Sequence, residues 1–121
     1  VKPSYGLTDE EIAGMLREGV EHAGQDMLAR ALREQQVEAD RLLEATAQAL
    51  EQDGDLLDAT ERSAIDAAIA ALRQAREGDD HRLIKQHIDA LTRATDEFAA
   101  RRMDRSVRTA LAGHKVDEIE L

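Results

Sequence analysis

No cysteine or tryptophan occurs in this 121-residue chain, and Pro3, Tyr5 and Phe98 are its only proline, tyrosine and phenylalanine. Without thiols there is no disulfide and no thiolate–metal site, which fits a reducing compartment. Without aromatics there are no stacking platforms of the kind that grip single-stranded nucleic acid. Positive charge is also in short supply. Sixteen Lys and Arg against 26 Asp and Glu leave a formal net charge of −10, which argues against a surface built to neutralise phosphates. No apolar run approaches the length of a membrane span, and the first residues do not resemble a signal peptide. The chain starts at Val1 rather than Met, as expected of a piece excised from something longer.

What is present favours helix. Ala, Leu, Glu, Gln and Arg dominate and β-branched residues are few, so the predicted fold class is all-α. The length suits one compact domain or one subdomain. Small side chains bury little area each, so a thin core and modest stability are expected. Residues 1–7 read as extended, the end of a strand or linker belonging to something upstream. Thr8 and Glu11 then have capping-box spacing, with Leu7 and Ile12 at the staple positions. From Asp9 to about Gln52 only Gly14, Gly19 and Gly24 disfavour helix, each by about 1 kcal/mol relative to Ala. The expectation is a short first helix to about Val20, a break near Gly19–Gly24, and a long second helix to about Gln52. Asp53-Gly54-Asp55 stops it with turn chemistry.

A third helix starts near Asp58, whose spacing to Glu61 repeats the box. It carries Ile65, Ala68, Ile69, Leu72 and Ala75 on one face. Gly78 suits the position after its end, and Asp79 or Asp80 caps the next helix. That helix shows Leu83, Ile84, Ile88, Leu91, Thr95 and Phe98 in steps of three and four. A last segment around Met103, Val107 and Leu111 ends at Gly113; a fifth helix and a bent continuation of the fourth both fit. Residues 114–121 read as a frayed acidic tail. The predicted organisation is therefore an arm of two helices over 8–52 and a small antiparallel bundle over 53–113.

Candidate chemistry is sparse. No Glu stands three residues before His22, His81, His87 or His114, and no HExxH occurs, so the histidines read as solvated rather than metal-binding. Phosphate-binding glycine motifs are absent, and no serine sits in a nucleophile motif. No convergent catalytic set forms, so no catalytic residue and no cofactor is assigned to this chain. The cluster Arg101, Arg102, Arg105 and Arg108 reads as favourable helix-end charge with ion pairs to Asp96, Glu97 and Asp104; a docking patch for an acidic partner is the competing reading. Val20, Ala23, Met27, Leu28, Ala31 and Leu32 form an apolar stripe on the first half of the long helix. A bundle further along leaves it uncovered unless the first helix folds back over it, and exposed apolar stripes mark interfaces.

Two stretches carry a family resemblance. Val1–Ile12, VKPSYGLTDEEI, resembles the junction at which the β-sandwich of DnaK-type heat-shock chaperones passes into the helical lid. Glu97–Glu118, EFAARRMDRSVRTALAGHKVDE, is similar to the end of the HscA-type branch, and the chain lacks the long tail with terminal EEVD of general DnaK chaperones. The resemblance covers essentially the whole chain, with its middle generic. It implies a cytoplasmic lid that closes over a peptide held in a separate β-sandwich domain, driven by ATP and magnesium in a separate nucleotide-binding domain. It further implies an iron–sulfur scaffold protein as client and a J-type co-chaperone as partner, with no nucleic acid or membrane partner. By the same resemblance Asp26 and Asp40 match acids that latch onto arginines of the sandwich loops. Where the family pattern has a histidine one turn beyond the second acid, this chain has Glu44. A general DnaK-type lid, a free-standing helical dimerisation module and a small acidic helical enzyme or metal protein are the alternatives, and the isolated piece is expected to be able to self-associate through its exposed stripe.

Overall fold

The computed structural model describes residues 6–119, and among these it contains four α-helices and no strand. They are α1 (Asp9–Asp53), α2 (Ala59–Arg76), α3 (His81–Ala94) and α4 (Asp96–Ile119), with a 3-10 turn at Gly54–Leu56 between α1 and α2. The all-α expectation holds. The extended reading of Val1–Tyr5 lies outside the described residues. Gly6 has φ of 78°, a left-handed conformation that a Cβ would disfavour, and it turns the chain into the first cap.

The helix starts follow their caps. The Glu11 N–H donates to the Thr8 hydroxyl at 3.1 Å, and the Thr8 N–H donates to the Glu11 carboxylate at 3.3 Å. Asp58 and Glu61 make the same reciprocal pair at 2.7 and 3.1 Å. Of the two candidates for the α3 cap, Asp80 is the one used, accepting from the N–H groups of Arg82 and Leu83. Each bond satisfies a donor the helix itself leaves orphaned.

Two expectations are corrected. No break interrupts α1: it runs unbroken for 45 residues, about 68 Å at 1.5 Å per residue, through Gly14, Gly19 and Gly24. The glycine penalties are real, but Leu, Arg, Glu, Met, Ala and Gln around them favour helix. No tertiary contact pulls this stretch aside, since every side chain from Met15 to Arg30 is exposed. Likewise α4 does not end at Gly113 but continues to Ile119. No proline or turn pair follows that glycine, so the helix passes through it. Glu120 and Leu121 lie outside the described residues.

The bundle is built on the second half of α1. The α2 helix returns antiparallel to it, bringing Arg76 beside Asp40, and α3 turns back against both. Ile65, Leu72, Ile84 and Leu91 are the large side chains fully removed from solvent, joined by Ala39, Ala49, Leu50, Ala75 and Phe98. Thr46 is buried with its hydroxyl donating to the Leu42 carbonyl at 2.7 Å. Leu83, placed by periodicity on the same face as Ile84, is instead 41% exposed. At Thr95 the helix is irregular (φ −102°, ψ 0°), yet the Thr95 N–H still reaches Leu91 O and the Ala99 N–H reaches Thr95 O. The last segment is thus a separate helix joined almost without interruption to α3, and Phe98 belongs to it. Arg102 of α4 sits beside Asp53 and Arg105 beside Asp55, so α4 carries on past the end of α1.

Candidate functional site

The bundle covers α1 only from about Ala31 onward, where side chains first become half-buried. Towards the N-terminus no other described residue covers the helix. Its apolar residues are correspondingly open: Val20 is 72% exposed, Met27 69% and Leu28 61%, with Leu16, Met15 and Ile12 continuing the series. Ala23 is exposed as well, whereas Ala31 and Leu32 are half-buried. Leu32 packs against the bundle core. Of the predicted docking face, Val20, Met27 and Leu28 are open to solvent while Ala31 and Leu32 are partly taken up by the bundle. Because α1 is unbroken, Ile12, Met15 and Leu16 are open along the same helix, and the competing fold-back of a short first helix over the stripe does not occur among the described residues.

At about 100° per residue, Asp26, Asp40 and Glu44 fall within about 40° of one another around α1. The centre of the apolar stripe lies about 100° to one side of them. An incoming surface that covers the stripe thus meets these acids along one edge. Asp26 and Glu44 are exposed, as a latch requires. Asp40 is different. Both its carboxylate oxygens are held by Arg76 from the last turn of α2, through Nε at 2.8 Å and Nη2 at 3.0 Å. This fork-on-carboxylate geometry keeps the Asp40 carboxyl below its ordinary pKa, chiefly through the hydrogen bonds from Arg76. Asp40 already has a partner inside the chain.

The arginines of α4 are likewise committed. Arg101 donates from Nη1 to Glu61 Oε1 at 2.8 Å and to the Leu56 carbonyl at 2.9 Å, and its Nη2 is ion-paired with Glu61 Oε2 at 2.7 Å. Arg102 and Arg105 share Asp53, at 2.8 and 3.1 Å, and Arg105 also grips both oxygens of Asp55, at 3.0 and 2.6 Å. These hydrogen bonds hold the carboxyls of Asp53, Asp55 and Glu61 below their ordinary pKa values, and the N–H of Asp58 assists at Glu61. The expected neighbours Glu97 and Asp104 are present, paired to Arg101 and Arg108 at 3.2 Å each. The stronger partners are far away in sequence, on the turn that ends α1 and the first turn of α2. The acidic docking partner imagined for this cluster is supplied by the chain itself.

Among the described residues no group of three or more His, Asp or Glu side chains is placed to hold a metal ion, and no helix is long and apolar enough to cross a membrane. The surface depressions are open grooves between helices. One of the two between α1 and α2 is about 460 Å³, lined by the apolar Leu43, Leu50 and Ile69 and by Arg62, Asp66 and Arg73. It gathers no convergent polar set of the kind that catalysis needs.

A family model described as "Hsp70 protein" matches residues 1–104. Over 121 residues, all of this chain and 20% of the relative, it is 71% identical to the "Chaperone protein HscA homolog" of Aromatoleum aromaticum. Identity is 72% over 120 residues with the protein of the same name from an Azoarcus species, covering 99% of this chain and 19% of that one. It is 60% over 119 residues with the one from Cupriavidus pinatubonensis, covering 98% and 19%. The chain thus spans about a fifth of the length of the curated relatives it matches. With a family model matching 104 of its residues and relatives aligned along nearly its full length, this helical chain belongs to the Hsp70 protein family.

Proposed function

We propose that this chain is the helical lid of an HscA-type chaperone, closing over client peptide held in a β-sandwich domain of the longer protein. The observation that carries this reading is the division of α1. Half of it is packed into a bundle, while the other half holds an apolar stripe open to solvent, with acids along one edge. A surface of that size and composition, in a chain about a fifth as long as its relatives, is suited to a body supplied by the rest of the protein. The names of the relatives support a chaperone role.

In this reading Val20, Met27 and Leu28 dock on the β-sandwich, and Asp26 and Glu44 latch onto basic loop residues. Asp40 joins the latch only by exchanging Arg76 for another cation. The chain contributes no catalytic group and binds no cofactor. ATP and magnesium act in a separate domain, and a J-type co-chaperone promotes closure. The client is an iron–sulfur scaffold protein, and the setting is the cytoplasm.

Peptide release from the full-length protein tests the reading. Replacing Met27→Asp together with Leu28→Asp is expected to speed release by at least about tenfold, as charge on an apolar docking face opposes burial. Asp26→Lys is expected to act in the same direction. Release unchanged by both variants would remove the lid role. A client preference indistinguishable from that of a general DnaK-type protein would keep the lid but remove the iron–sulfur assignment.

A further inference from the structure

The end of the bundle is held differently from its middle. Where α1, α2 and α3 meet, contact is apolar, through Ile65, Leu72, Ile84 and Leu91. On α4 the last side chain to enter that core is Phe98. Beyond it, among residues 99–113, every side chain turned toward the bundle is an arginine with a carboxylate partner: Arg101 on Glu61, Arg102 on Asp53, and Arg105 on Asp53 and Asp55. The apolar residues of the same stretch face the other way, with Met103 66%, Val107 46% and Leu111 55% exposed. Such a helix gains little from burying apolar surface, and its attachment rests on contacts that ions can screen.

We propose that α4 beyond Phe98 is a charge-held, separately releasable element, unfastened by ionic competition at its arginines while α1, α2 and α3 stay folded. The pairing is well suited to hold and to let go. Three arginines clasp a single acidic turn and the adjoining start of α2, and both Asp55 and Arg105 retain access to solvent, with side chains 65% and 41% exposed. An anion can therefore reach the clasp without prior unfolding. Phe98, nearly fully buried under the Arg102 guanidinium 5.8 Å away, stays as the anchor about which the rest detaches. Local opening of this sort, below the free energy of global unfolding, is a general property of segments with few buried apolar contacts.

Hydrogen–deuterium exchange of the full 121-residue chain, read peptide by peptide, tests this. Between about 0.05 M and about 1 M NaCl, where screening shortens from roughly 14 to 3 Å, amides of residues 101–112 should exchange at least about tenfold faster. Those of 65–75 and 84–91 should change by less than about twofold. Arg105→Gln should reproduce the effect at low salt, and the exchanged pair Asp55→Arg with Arg105→Asp should restore much of the protection. Three results would overturn the proposal. They are equal acceleration in all helices, which marks one cooperative unit; no protection of α4 even at low salt; and a swapped pair no better than the single variant.

Discussion

Four side chains, Ile65, Leu72, Ile84 and Leu91, supply the fully buried bulk of this core, and much of the remainder is alanine. Leu72→Ala is therefore expected to cost about 2–5 kcal/mol, since the surrounding helices can collapse only partly into the space. Natural domains at the low end have about 5 kcal/mol in total, so the variant should retain at most about 3 kcal/mol and unfold at a much lower urea concentration. Leu83→Ala, at an exposed position, should change stability by less than about 0.5 kcal/mol. Urea denaturation followed by circular dichroism separates the two, and equal midpoints would contradict this core. Residues of this kind were legible beforehand because helical periodicity marks a face, and so were the caps at Thr8 and Asp58, which are local in sequence. Arg76 with Asp40 and Arg105 with Asp53 were not. Their partners lie 36 and 52 residues apart, and local spacing carries no sign of them. Leu83 misled for the opposite reason, sharing a face with Ile84 and Ile88 yet sitting at its rim.

Among the elements, α1 departs most from expectation, and its glycines show why. Successive members of Gly14, Gly19 and Gly24 point about 140° apart around the helix, so no single flat surface can face all three. A Cβ added at any of them meets nothing within 4 Å. Their presence is thus not required by packing inside this chain. Gly19→Ala and Gly24→Ala are each expected to strengthen the helix by about 1 kcal/mol. Slower amide exchange between Leu16 and Leu28 would register it, and faster exchange would show that the glycines serve a bent state of the free chain. Summed propensity over the neighbouring residues outweighs three weak positions, a balance that reading glycines one at a time misjudges. The 3-10 turn is the converse case. Asp53-Gly54-Asp55 ends α1 as its chemistry predicts, and the same two aspartates then serve as the ground on which α4 is fastened.

For the molecule as a whole, the clasped carboxylates set the response to acid. Asp40, Asp53, Asp55 and Glu61 all have pKa values lowered in the folded state by arginine hydrogen bonds. A lowered folded value means that the unfolded chain takes up protons more readily. The stabilisation is therefore complete above the ordinary carboxylate range, near 4, and is lost as pH falls through the lowered folded values. Thermal melts should show a midpoint nearly constant from about pH 7 to 5 and falling steadily below about pH 4. A midpoint that held to about pH 2 would show that the pairs contribute nothing to the fold. The unburied part of α1 has a mechanical meaning as well. From Leu32 to Asp9 a straight helix reaches about 35 Å, rooted only at the bundle, so a tilt of about 10° at the root swings the tip by about 6 Å. A cantilever of that length turns a small repacking around Leu32 and Ala39 into a displacement wider than a polypeptide backbone, with leverage set by residue count alone.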